Sequence, residues 1–143
     1  ADCALEPDVR KRLHEAEKVL MEDIKWEQRE DDPIQLSMKA NVRTVETGEV
    51  LVLHGEYYRK GHSFALRYQN GIVRRFDFSD HWEGMDGHKH KSMFASIGED
   101  DPYAVDDVST SNVNQAIIDF LAEENIRTGE CVINEKPDLS DYE

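Results

Sequence analysis

Ser63-Phe64-Ala65-Leu66-Arg67-Tyr68-Gln69-Asn70-Gly71-Ile72-Val73-Arg74-Arg75-Phe76-Asp77-Phe78 is the stretch on which the fold turns. Phe64, Leu66 and Tyr68 alternate with other residues at a period of two, the mark of a half-buried strand. Asn70 and Gly71 both tolerate a positive φ, which a two-residue type I′ turn requires. The reading is an antiparallel hairpin of Ser63–Gln69 and Ile72–Phe78, closed by Asn70-Gly71.

Upstream the same period continues. Leu36, Met38, Ala40 and Val42 alternate within a strand predicted over Ile34–Val45, and Thr47-Gly48-Glu49 turns the chain into another over Val50–Arg59. Lys60-Gly61 gives the next turn. Before these strands, Val9, Leu13, Ala16, Leu20 and Ile24 recur at three- and four-residue spacings, which predicts one helix over Glu6–Glu30 ending at Asp31-Asp32-Pro33. Downstream, a loop over Ser79–Gly87 leads to a strand over His88–Phe94, and Glu99–Pro102 reads as an acidic loop. Val113, Ile117, Phe120 and Leu121 form the stripe of a helix over Asn112–Asn125. The fold class is therefore α+β: an antiparallel meander of about five strands, with an N-terminal and a C-terminal helix packed on one face. All 143 residues belong to one domain, with an ordered core over about 6–127 and an acidic tail over about 128–143.

Charge narrows the function classes. The net charge is −14, yet residues 59–91 carry seven bases against four acids, while residues 92–143 carry thirteen acids against two bases. Overall acidity argues against general coating of nucleic acid, which depends on Lys and Arg displacing counterions. A local basic zone can still hold an anion, and the acidic remainder suits a partner with a basic surface. No run approaches the roughly 18 apolar residues of a membrane span. With no secretory signal region, and with Cys3 and Cys131 both in polar stretches, the expected setting is the cytoplasm, away from membranes.

The segment Arg74–Lys91 concentrates the chemistry. It contains His81, His88 and His90 together with Arg74, Arg75, Lys89 and Lys91. Three readings stand side by side. His88 and His90, two apart on a strand, could chelate a metal with His81, Asp77, Asp80 or Asp86. Alternatively, imidazoles could exchange protons while Arg75 and Lys91 hold a phosphoryl group, as in RNA cleavage or nucleotide transfer. Or the His and Lys residues simply form the solvated face of an edge strand. His14 reads as a surface or flank residue of the first helix, His54 and His62 as structural, and Trp26 and Trp82 as packing residues.

The Asn-Gly hairpin, the Arg75-Phe76-Asp77 strand, the loop with His81, the Gly87-His88-Lys89-His90 strand and the final amphipathic helix resemble the TumE-like toxin proteins of toxin–antitoxin systems and their bacterial relatives. The resemblance covers roughly residues 61–126. It implies a toxin-like protein of a toxin–antitoxin or mobile-element system, encoded beside a helix-turn-helix antitoxin and acting on RNA or a nucleotide. Arg75, Asp77, His81, His88 and His90 carry over as candidate catalytic residues; Arg74, Lys89 and Lys91 are candidates for phosphate binding. No particular cofactor or bound metal is implied. The alternatives are an acidic, non-enzymatic binding protein that mimics nucleic acid or serves phage or plasmid counter-defence, and a metal-binding domain.

Overall fold

The alternation read from the sequence organises the sheet. The computed structural model describes residues 5–32, 34–58, 61–79, 89–96, 99–104 and 113–137, with backbone alone at 77–79, 89–96 and 99–104. The chain runs through α1 (Pro7–Glu15), β1 (Lys18–Leu20), β2 (Glu27–Gln28), β3 (Leu36–Thr44), β4 (Val50–Tyr58), β5 (Gly61–Tyr68), β6 (Gly71–Ser79), β7 (Lys89–Ser96), β8 (Glu99–Ala104), α2 (Val113–Glu123) and β9 (Ile126–Arg127). β3 through β8 form a continuous antiparallel meander. β1 extends it beyond β3, β9 lies parallel to β1, and β2 pairs with β3. The protein is thus mixed α+β, with two helices among the described residues and more strands than the five expected.

One face of the sheet is sealed. Leu36, Met38, Ala40 and Val42 on β3 are buried at every second position, as are Leu51 and Leu53 on β4 and Phe64 and Leu66 on β5. Leu36 packs with Ile34 in a smaller cluster, and the others are joined in one core by Leu13 of α1 and Val113, Ala116, Ile117, Phe120 and Leu121 of α2. Burial of each of the larger side chains contributes roughly 1.5–3 kcal/mol, enough to fix the register, since a one-residue slip would turn the whole set outward. His62 lies in this core between the rings of Phe64 and Phe76, with centroids 5.8 and 6.2 Å away. Trp26 meets Phe64 edge-on.

The hairpin forms with a one-residue difference at its tip. Tyr68 pairs with Gly71, so the loop is Gln69-Asn70, and the left-handed residue is Gln69 at φ 55°. A bulge explains the offset. Leu66 faces Arg74 and Arg67 faces Ile72, leaving Val73 as the extra residue and turning both Val73 and Arg74 toward the helices.

The helix expected over Glu6–Glu30 is the main correction. α1 stops at Glu15, Ala16 is already extended at ψ 143°, and the chain enters the sheet at Lys18. Lys18 itself is the reason. Its ammonium is fully buried and donates to the carbonyls of His14 and Ala16 at the end of α1, and of Glu124 at the end of α2. It thereby satisfies carbonyls that both helix ends leave open, where the dipoles favour a cation. Two further expectations are revised. Glu99–Pro102 belongs to strand β8, an edge position that tolerates acids and proline. The tail from Thr128 to Pro137 is anchored: Ile133 bridges Ile24, Asn134 bonds the Ile24 carbonyl, and Lys136 lies over the Tyr57 ring. Among the described residues no helix is long and apolar enough to cross a membrane.

Candidate functional site

The positions between the buried ones make the opposite face of the sheet, which carries polar and charged residues. Lys39 on β3 faces His54 on β4, His54 faces Ala65 on β5, and Ala65 faces Arg75 on β6. Arg67 stands one step along β5, opposite Val52. These side chains line a recess of about 440 Å³, within the range of small-molecule sites. Lys39, His54, Arg67 and Arg75 give it three permanent cations and an imidazole, with Glu56 the single carboxylate among the described side chains of the lining.

Electrostatics set the state of His54. Burial lowers its pKa from 6.5, and the positive charges of Arg67 and Lys39 push in the same direction against the opposing pull of Glu56. The ring is therefore neutral near pH 7, able to accept a proton, beside cations that can hold an anionic group.

The sequence-derived residues divide between the two faces. Arg75 lines the recess. Asp77 stands opposite His90 in the register, and Arg75 opposite Ser92, so positions 75, 77 and 90 share the open face of the pleat. Lys89 and Lys91 occupy register positions opposite Phe78 and Phe76, and thus fall on the face of the buried Phe76. His81 and His88 lie outside the described residues, as do Trp82, Asp80 and Asp86. Arg74, grouped by sequence with the phosphate binders, is 4% exposed on the helix side and donates to Glu123 at 2.6 Å. Its burial follows from the bulge at Val73. Among the described residues no group of three or more His, Cys, Asp or Glu side chains could hold a metal ion.

Lys39, His54 and Arg67 are the site residues that sequence reading missed. The reading of His54 as structural rests on its place near a strand end. The only hint is that it occupies the polar phase of β4, between Val52 and Glu56.

A second polar cluster lies under the helices. Nη1 of Arg74 donates to Nε2 of His14, whose Nδ1 bonds Oε1 of Glu124, and Glu124 faces the Lys18 ammonium. Two cations and two carboxylates, counting Glu123, balance around one imidazole. Each hydrogen bond joins separate elements, so this cluster fastens both helices to β6.

Comparison with family models, curated proteins and solved structures finds no match to this chain.

Proposed function

We propose that the open face of the sheet binds a phosphate group, and that the chain is a toxin-like protein of a toxin–antitoxin or mobile-element system acting there on RNA or a nucleotide in the cytoplasm. One observation carries the reading: Lys39, Arg67 and Arg75 surround a neutral His54 in a recess of a chain whose net charge is −14. Arginine and lysine recognise phosphoryl oxygens, and an imidazole beside them can take a proton from an attacking hydroxyl or water. His90, at the register position across from Asp77, is the candidate for returning a proton to the leaving oxygen. The acidic remainder of the surface suits an antitoxin with a basic face.

The test has two arms. Expression of the wild-type chain slows growth, while Arg75→Ala, His54→Gln or the pair His88→Ala with His90→Ala relieves the effect without loss of folding by circular dichroism. Calorimetric titration with inorganic phosphate shows binding that Arg75→Ala weakens. A harmless wild-type chain overturns the toxin reading, and absence of phosphate binding overturns the site.

A further inference from the structure

The cationic recess does not end at Lys39 and His54. A second recess of about 370 Å³ adjoins it and shares Lys39, His54 and Glu56. Its outer rim has the opposite character, lined by Glu22, Asp23 and Glu27 together with Lys25. Glu22 accepts the Asn41 N–H at 2.8 Å and Asp23 the Val132 N–H at 2.8 Å, so two of these carboxylates are pinned in place. The open face therefore runs from cations on β5 and β6 to carboxylates on β2 and the segment before it, with Glu56 at the junction.

We infer that the ligand of this face is a single nucleotide with an amino-bearing base, its phosphate held by Arg67 and Arg75 and its exocyclic amino group by Glu56. This rests on the phosphate-binding reading above and narrows it from RNA or a nucleotide to the nucleotide. A strand of polynucleotide laid across the sheet would carry further phosphates onto Glu56, Glu27, Glu22 and Asp23, where like charges repel. A molecule with one anionic end and one donor-rich end matches both halves. Arg75 and Glu56 stand two strands apart and two residues apart along them, about 12 Å between backbones at the usual spacings, so that their side chains can reach the phosphate and the base edge of one nucleotide. A carboxylate accepts a hydrogen bond from the amino group of cytosine but meets a carbonyl oxygen at the same place on uracil, a difference that typically amounts to about tenfold or more in affinity.

Calorimetric titration of the full chain with CMP, UMP, inorganic phosphate and an oligocytidylate lacking a terminal phosphate decides the matter. CMP binds about tenfold more tightly than UMP, and more tightly than phosphate or the oligonucleotide. Glu56→Ala erases the CMP-to-UMP ratio and, by removing a neighbouring carboxylate, tightens inorganic phosphate. Arg75→Ala weakens CMP, UMP and phosphate together. Equal binding of CMP and UMP, or tighter binding of the oligonucleotide, overturns the inference and leaves the phosphate site standing. Failure of all four ligands to bind overturns the phosphate site as well.

Discussion

Nε2 of His14 lies 3.0 Å from Nη1 of Arg74, and this one contact fixes the tautomer of a half-buried imidazole. A guanidinium can only donate, so Nε2 accepts and the ring proton sits on Nδ1, directed at Oε1 of Glu124 at 2.9 Å. α1, β6 and the end of α2 are thereby joined through one ring.

His14→Ala removes that ring and leaves Glu124, which is fully buried, and Arg74 each short of a partner. Stripping partners from buried charged groups is costly, and the expected loss is about 2–4 kcal/mol in urea unfolding. The loss is not additive with that of Arg74→Met. A double-mutant cycle gives a coupling of at least about 0.5 kcal/mol, because both substitutions break the same contact.

Lys18 makes stability depend on alkaline pH. Burial lowers its pKa from 10.5 to about 8, against the attraction of Glu124. Between those values the unfolded chain holds a proton that the folded chain has released, so this residue's contribution rises with pH from about 8 to 10.5. The gap corresponds to about 3 kcal/mol as an upper bound. Urea unfolding of wild type and Lys18→Met across that range isolates the effect. The difference in stability moves in favour of wild type as pH rises, and a constant difference contradicts the assignment.

The same residue explains how far the fold was legible. Alternation on β3, β4, β5 and β6 is a local property, and those strands stand close to where the sequence puts them. Leu20 and Ile24 also continue the apolar spacing of α1, so nothing local says that the helix ends at Glu15. The ending depends on Lys18 meeting the carbonyl of Glu124, 106 residues away. The open face was hidden for a related reason. Lys39, His54, Arg67 and Arg75 come from four strands, and only the register aligns them. Arg75, which lines the recess, lies in the one short segment that the sequence singles out.

Glu49 provides an acid-side counterpart. Hydrogen bonds from Arg12 at 2.6 and 3.0 Å, and from Thr47 at 2.7 Å, lower its pKa from 4.5 to about 2. Its contribution is present above about 4.5 and is lost as pH falls toward 2. Arg12 is about half exposed, so solvent and salt screen the pair and the effect is small. Glu49→Gln flattens the acid limb of the wild-type stability profile slightly, and 1 M salt reduces the difference between the two proteins.

Gly55 marks where β4 passes closest to the core. A Cβ there would stand 2.7 Å from Sδ of Met38 and 3.0 Å from Cδ1 of Phe64. The methionine can swing aside, but Phe64 is held among Trp26, His62 and Phe120. Gly55→Ala costs about 1–3 kcal/mol by overpacking, read as a lower urea midpoint. In a double-mutant cycle with Met38→Ala the two losses are less than additive, which distinguishes overcrowding from a backbone effect.

Anion binding on the open face should take up a proton. Free His54 is held neutral by burial and by the charges of Arg67 and Lys39, with Glu56 opposing and Arg75 completing the ring of charges from β6. An anion among those cations cancels the repulsion that the imidazolium would feel, so the bound protein favours the protonated ring more than the free protein does. By linkage, affinity rises as pH falls through the pKa of His54, with log K gaining at most about one per pH unit. Sulfate is the suitable probe, because unlike phosphate it does not titrate in this range. Calorimetry between pH 7.5 and 5.5, repeated in two buffers of different ionisation enthalpy, reads both the slope and the proton uptake. His54→Gln keeps the cations and removes the titration, giving sulfate binding that no longer changes with pH. Sulfate binding of equal strength at pH 7.5 and 5.5 in the wild-type chain would show that His54 does not sense the bound anion, and would remove it from the proposed site.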